Sequence, residues 1–294
     1  MCYTRQMPKS LFAAAAPFAL FATSTFAQDA LLSPATAWNM QYNDEGCRLM
    51  RAFGSGEDKV TLQIEQAGIE PFYTIVLSGN SLRKRSSEVM EVTFGPAEQP
   101  TERSFLFGKS KPEKTPFLVM HGITLAPAAE GSEGEFVTVD LSPERQAAIT
   151  YLDLRTGLRD PLRLDLGSMA EPLAAMQNCA KDLVVHLGLD EESQERLTRK
   201  VTPTNLMEVA RILQANYPAR MLRREEEGTV QFRLTVDREG KPAGCQIRKS
   251  TRPMVFDDIV CLGLMQRSEF DPALNEEGKP VASFYEGAVR FVLP

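Results

Sequence analysis

The stretch GTVQFRLTV, residues 228–236, decides the fold of the C-terminal part of the chain. Every second residue from Val230 to Val236 is apolar, and the residues between them are polar. This two-residue period is typical of a β-strand that buries one face. Directly after it we predict a turn at residues 237–240 and a second strand over residues 243–250.

The hydrophobic period changes in the following segment. Apolar residues recur at helical spacing from Phe256 to Leu264, and two aspartates suit the first turn of a helix. A last strand is predicted over roughly residues 281–293, with Val289 and Phe291 on its apolar side. The three strands need a cover for their apolar faces, and this helix supplies it. We therefore predict an α+β unit: a three-stranded antiparallel sheet with one covering helix.

Five short motifs follow one another in this segment. They are Tyr217-Pro218-Ala219, Glu227-Gly228-Thr229-Val230, Asp237 with Gly240, Phe270-Asp271-Pro272-Ala273, and Val289-Arg290-Phe291. In their order and spacing they resemble the C-terminal domain of the TonB energy-transducer family. The resemblance covers residues 217–293, the last quarter of the chain. It implies the same small α+β fold as the hydrophobic pattern does.

The resemblance also implies a site. In this family the last strand contacts receptor peptides, and a free sheet edge accepts an extended peptide through backbone hydrogen bonds. Carried over to this sequence, partner contacts are expected on the last strand and at the entry of the domain. The residues concerned are Tyr217, Pro218, Ser283, Tyr285, Gly287, Val289 and Phe291. Arg220 is a further candidate, because an arginine on this helix suits an acidic partner; the alternative is a simple surface face. The alternative is an edge that the N-terminal domain or a dimer partner covers.

The first 27 residues are typical of a secretory signal. Arg5 and Lys9 form a positive start, residues 11–22 are apolar, and residues 25–27 resemble a cleavage site. The apolar run is too short to span a bilayer, and Pro17 interrupts it. We expect export to the periplasm with cleavage. The alternative is a protein anchored in the inner membrane by an uncleaved signal.

The charge balance excludes some partners. The chain has 33 basic and 39 acidic residues, for a formal net charge of −6. A chain with this balance is not an obvious binder of nucleic acid or of anionic lipid. Because no later stretch is apolar enough, no membrane span is expected after signal cleavage. The oligomeric state stays open.

The cysteines indicate disulfides. Cys2 leaves with the signal, so that Cys47, Cys179, Cys245 and Cys261 remain. An even number in an oxidising compartment favours bridges, and four cysteines allow three connectivities. We predict Cys245–Cys261 and Cys47–Cys179, because each bridge then stays within one domain. The sequence contains no Cys-x-x-Cys and no histidine at metal-ligand spacing, so no metal is expected.

Residues 28–189 are predicted to form a mostly β domain of unknown function. Short alternating stretches such as residues 58–64, 72–77 and 134–139 are separated by turn signals, as in an antiparallel sandwich or open barrel.

A helix is predicted to close this domain. Ser168 and Glu171 form a capping-box pattern with Ser168 as the N-cap, and Gly188 marks the helix end. Residues 190–216 are predicted as a helical connector, and residues 217–294 as the TonB C-terminal-like domain.

The sequence lacks the usual signatures of catalysis. It has no G-x-S-x-G, H-E-x-x-H or P-loop motif, and its two histidines, His121 and His186, suit packing or a helix end. We expect no enzymatic activity and no cofactor. The first hypothesis is a periplasmic TonB-like protein that binds an envelope partner by strand addition, with a TonB-dependent outer-membrane receptor as the candidate and a link to energy-coupled transport. The second is a structural or adaptor protein that keeps the fold without transduction.

Overall fold

A computed structural model gives the structure of the chain. It describes residues 31–43, 46–69, 71–96, 98–110, 112–125, 141–251, 254 and 256–293. The predicted signal and the strand predicted at residues 134–139 lie outside the described residues. None of the described helices is long and apolar enough to cross a membrane.

The N-terminal half is built mainly of strands. In chain order they are β1 (Leu31–Leu32), β2 (Asn39–Asn43), β3 (Gly46–Phe53), β4 (Val60–Gln66), β5 (Phe72–Gly79), β6 (Val89–Phe94), β7 (Thr101–Ser104), β8 (Leu106–Lys109), β9 (Pro116–Thr124), helix α1 (Pro143–Ala148), β10 (Tyr151–Leu154), β11 (Leu162–Asp165) and helix α2 (Ala170–His186).

These strands form two sheets around one hydrophobic core. A five-stranded sheet has the order β1-β11-β10-β6-β7, and a six-stranded sheet has the order β2-β3-β4-β5-β9-β8. All their pairings are antiparallel except that of β1 with β11. Strictly alternating burial along β4 and β5 places one face of the six-stranded sheet in the core and leaves the other outside. The predicted sandwich is the arrangement that the structure has.

Helix α2 closes this core, but its start differs from the prediction. Ser168 is not the N-cap: Met169 takes that position, and its carbonyl oxygen accepts the first helical bond from Leu173 N. The reason is packing, since Met169 is fully buried and fixes where the helix begins. Gly188 follows the helix with φ +73°, the left-handed conformation that suits a glycine after a helix end.

The C-terminal half adds a second set of elements. They are α3 (Glu191–Glu195), β12 (Thr202–Pro203), α4 (Leu206–Ala215), α5 (Ala219–Leu222), β13 (Gly228–Val236), β14 (Pro242–Ser250), α6 (Asp257–Arg267), β15 (Phe270–Asp271), β16 (Ala273–Leu274), β17 (Pro280–Val281) and β18 (Ser283–Phe291). The three long strands form an antiparallel sheet with the order β14-β13-β18. Helix α6 packs on one face of this sheet, as the hydrophobic pattern predicts.

The segment between the two halves packs onto the C-terminal sheet. β12 pairs with β15, and α4 lies against α6. Val201, Val209 and Leu213 belong to the same hydrophobic cluster as β13 and α6. The residues predicted as a connector therefore contribute to the core of the C-terminal half. The domain boundary at residue 217 stays a prediction.

Candidate functional site

Strand β18 lies at the edge of the C-terminal sheet. It pairs with β13 in continuous register from Gly228 with Phe291 to Val236 with Ser283. In the part of the chain that the structure describes, no strand pairs with its other side. A nine-residue strand with one unpaired side is therefore available for strand addition.

Two glutamine side chains bond to the backbone at the two ends of this edge. Gln194 Nε2 donates to the carbonyl oxygen of Ala282 at 2.8 Å, just before β18. Gln214 Nε2 donates to the carbonyl oxygen of Val292, just after β18, and Gln214 Oε1 accepts from Val292 N. The backbone groups of Ala282 and Val292 thus point away from β13.

The direction of the remaining backbone groups follows from these two ends. Successive residues of a strand point their N–H and C=O groups to opposite edges. Since Ala282 and Val292 point outward and the register of β18 has no irregularity, the even-numbered residues between them also point outward. They are Phe284, Glu286, Ala288 and Arg290. Among the described residues, none of these four forms a backbone–backbone hydrogen bond with the N-terminal half.

The partner-binding residues predicted on β18 are the odd-numbered ones, and their side chains face inward. Ser283, Val289 and Phe291 are buried. Tyr285 packs against Phe232 and Phe270. A side chain at Gly287 would lie 2.8 Å from the ring of Phe232, which leaves room only for glycine. That these residues contact a partner stays a prediction, and their own backbone groups point toward β13.

The entry residues predicted with them lie beside the end of β18. The ring of Tyr217 makes edge contacts with Phe256 and Phe291, and its hydroxyl donates to the carbonyl oxygen of Glu226 at 2.7 Å. Burial raises the pKa of Tyr217, and the nearby glutamates add to the effect. Pro218 caps α5, and Arg220 on that helix is exposed. The structure therefore joins Tyr217 to Phe291 and leaves Arg220 apart from this cluster.

A buried arginine connects the outer face of the sheet to the N-terminal half. Arg233, only 1% exposed, lies in the central strand on the face opposite α6. Its Nε donates to Glu286 Oε1 at 2.8 Å, and one terminal nitrogen donates to the carbonyl oxygen of Ala67 at 2.8 Å. Burial lowers the pKa of Arg233, against the opposing effect of Glu286. Phe284 packs at Gly68 on the same side.

A second contact between the halves lies on the other edge strand. Lys249 Nζ on β14 bonds both carboxylate oxygens of Glu65 on β4, at 2.9 and 3.2 Å. The N-terminal half thus contacts the outer face of the C-terminal sheet at Arg233, Phe284 and Lys249. Among the described residues, the N-terminal half contacts the outer face of the sheet and strand β14. The backbone groups on the open side of β18 do not bond to the backbone of the N-terminal half.

Both predicted disulfides are present. Cys245 on β14 is bonded to Cys261 on α6, which joins the sheet to its covering helix. Cys47 on β3 is bonded to Cys179 on α2, which joins the six-stranded sheet to its helix. Cys47 and Cys179 belong to the first hydrophobic cluster, and Cys245 packs against the second.

Sequence reasoning missed the outward-pointing residues of β18 and the two glutamines. The even positions were not available from the pattern, because side-chain alternation gives the face of the sheet and not the edge to which the backbone groups point; that edge follows from the pairing with β13. Gln194 and Gln214 gave no signal, because their partners lie 88 and 78 residues away in sequence.

The geometry defines the C-terminal part as a helix-covered three-stranded sheet with one open edge strand. Comparison with protein families agrees with it: residues 214–293 match the family described as Gram-negative bacterial TonB protein C-terminal. The predicted TonB C-terminal domain is thereby confirmed for this part of the chain. No curated protein matches the chain.

Proposed function

We propose that the chain is a periplasmic TonB-like protein that binds a cell-envelope partner by strand addition to β18. The observation that carries this proposal is the unpaired side of β18 in a domain of the TonB C-terminal type. The backbone N–H and C=O groups of Phe284, Glu286, Ala288 and Arg290 point to this open side. The match to this family favours an envelope partner and a binding role over catalysis. A TonB-dependent outer-membrane receptor is the proposed partner.

A second candidate function is that of an adaptor that binds without transducing energy. The packing of residues 201–213 favours it, since Val201, Val209 and Leu213 lie in the core of the C-terminal half. A transducer that reaches across the periplasm requires an extended spacer, and this segment is folded onto the domain instead. Fractionation of cells separates the two: a form tethered to the inner membrane supports transduction, and a released form supports the adaptor.

Strand addition is tested at Ala288. Its backbone N–H points to the open edge, its side chain is exposed, and its replacement removes no bond to β13. Ala288→Pro eliminates this donor and places a ring at the edge. The matched control is Ala288→Val, which keeps the N–H and suits a strand.

The ligands are synthetic segments from the plug region of TonB-dependent receptors, measured by isothermal titration. We expect Ala288→Val to bind like the unchanged protein and Ala288→Pro to bind about tenfold more weakly, which corresponds to roughly 1.4 kcal/mol. Equal affinities for both variants would exclude β18 as the edge used. Segments that bind none of the three proteins would count against a receptor as the partner.

A further inference from the structure

The geometry points to a second binding site, which takes a small amphiphile with an anionic head group and an alkyl body. The site is the cleft between the outer face of the six-stranded sheet and the outer face of the C-terminal sheet. It goes beyond the proposed function, because it uses the N-terminal half and does not require the edge of β18. We call it the inter-sheet cleft; it has a volume of about 910 Å³.

The size and position of the inter-sheet cleft suit a small ligand. Small-molecule sites typically have volumes of roughly 300–1,000 Å³ and lie preferentially between domains. The cleft is lined on one side by β3, β4, β5, β8 and β9 and on the other by β13, β14 and β18. It therefore has two preformed walls.

One wall carries an apolar row. The strand registers place Val76 opposite Val119, and Val119 opposite Leu106 on the neighbouring strand. Phe117 and Phe72 border the same cleft. Leu106, on the edge strand β8, is 64% exposed and extends this apolar surface. This row offers a continuous apolar surface for an alkyl chain.

A row of polar residues runs parallel to the apolar row. On each strand the polar residue lies two positions from the apolar one. Arg48 pairs with Glu65 in the register, and Glu65 with Thr74. Thr74 Oγ1 lies 3.2 Å from His121 Nδ1. Two residues of a strand span about 6.6 Å, so the apolar and polar rows lie side by side in the cleft. An amphiphile presents the same two surfaces.

The polar end of the cleft has more positive than negative charge among the described residues. Arg48, Arg248 and Lys249 line it together with Glu65 and Glu286. Arg48 and Lys249 share Glu65, with nitrogen-to-oxygen distances of 2.9 Å. Arg248 shares Glu286 with the buried arginine of β13, at 3.0 Å and 2.8 Å. Cations in the cleft thus outnumber its carboxylates in a protein whose formal net charge is −6.

This surplus selects an anionic head group. A cleft lined by an excess of one charge between low-dielectric walls concentrates ligands of the opposite charge. Lys249, whose side chain lines the cleft and is 46% exposed, is the residue we assign to the head group. A carboxylate or phosphate at the end of an alkyl chain satisfies both walls at once.

The test uses the full exported chain and isothermal titration below the critical micelle concentration. The probes are dodecanoate, the cationic dodecyltrimethylammonium, and butanoate, which has the head group without the body. We expect dodecanoate to bind one to one, dodecyltrimethylammonium to bind at least about tenfold more weakly, and butanoate to show no saturation. Equal binding of the two twelve-carbon probes would overturn the assignment of an anionic head group.

Variants locate the site. Lys249→Gln is expected to weaken dodecanoate binding about fivefold to tenfold, and Lys249→Arg to keep it within about twofold. Val119→Asp, which introduces a carboxylate into the apolar row, is expected to weaken it more than tenfold. The matched control is Lys181→Gln, which removes another ion-paired lysine that does not line the cleft.

Three results would overturn the proposal. They are the absence of saturable binding by dodecanoate, an equal loss of affinity in Lys249→Gln and Lys181→Gln, and displacement of dodecanoate by an acidic seven-residue peptide that binds more tightly. The last result would assign the cleft to an extended peptide. The far-ultraviolet circular dichroism of each variant shows that it is folded before titration.

Discussion

Removal of the Cys47–Cys179 bridge should cost the N-terminal half more stability than removal of Cys245–Cys261 costs the C-terminal half. The first bridge spans 132 residues and the second spans 16. Loop-closure entropy then gives a loss of about 5 kcal/mol for the first bridge and about 3 kcal/mol for the second. The expected difference of about 2 kcal/mol comes only from loop length.

The substitutions are double replacements by alanine. Cys47 and Cys179 are 1% and 3% exposed, so serine would add a buried hydroxyl without a partner, and alanine avoids this cost. The only tryptophan of the chain, Trp38, lies 6.3 Å from the ring of Phe53, a residue of the first hydrophobic cluster. Its fluorescence in a urea titration therefore follows the N-terminal half.

The effect of removing the Cys245–Cys261 bridge is measured by hydrogen exchange of the β13 amides, which reports the stability of the C-terminal half. We expect the Trp38 transition to shift strongly when Cys47 and Cys179 are replaced and weakly when Cys245 and Cys261 are replaced. Protection of β13 should show the opposite order. A shift of the Trp38 transition that is equal in both double variants would refute the reasoning, because it would mean that the two halves unfold as one unit.

Two further predictions concern the contacts between the halves. Arg233→Met should lower the free energy of unfolding by about 3 kcal/mol, because it removes the bonds of a buried guanidinium to Glu286 and to the carbonyl oxygen of Ala67, while Glu286 keeps its ion pair with Arg248. Lys241→Met, which breaks an exposed pair, should cost less than about 1 kcal/mol. Chemical denaturation measures both, and equal losses would mean that the burial of Arg233 contributes nothing. Burial opposes ionisation of Glu65, but the bonds and charges of Lys249 and its neighbours outweigh it and hold the pKa of Glu65 below its ordinary value. The resulting stability is present above about pH 4.3 and is lost as pH falls through the lowered pKa, so Glu65→Gln should flatten the acid side of the stability profile; an unchanged profile would contradict this.

The elements of the C-terminal sheet were predictable because each is set by a local pattern. The alternation in residues 228–236 predicts a strand with the bounds that β13 has, and the helical spacing from Phe256 to Leu264 predicts α6. The pairing of the cysteines followed from keeping each bridge within one set of elements. For β13 and α6 the residues that decide the structure lie close together in sequence, whereas the Cys47–Cys179 bridge, which spans 132 residues, followed from the even cysteine count and the predicted domain division.

The contacts between the two halves were not predictable in this way. Arg233 occupies a polar position of an alternating strand, which suggests exposure, but the loop at Ala67 covers it from 166 residues away. The charged residues 190–200 likewise suggested a connector between two domains. The apolar Val201, Val209 and Leu213 that follow them nonetheless pack into the core. Burial of these residues depends on long-range packing that no local period records.

The glutamines at the ends of β18 restrict what can pair with this strand. Between the bonds of Gln194 and Gln214, the accessible backbone runs from residue 284 to residue 290, a length of about 23 Å. A longer guest must turn out of the sheet at both ends, and a continuous sheet extending from one molecule to the next is disfavoured. The protein can thus keep an edge strand open while limiting its own aggregation.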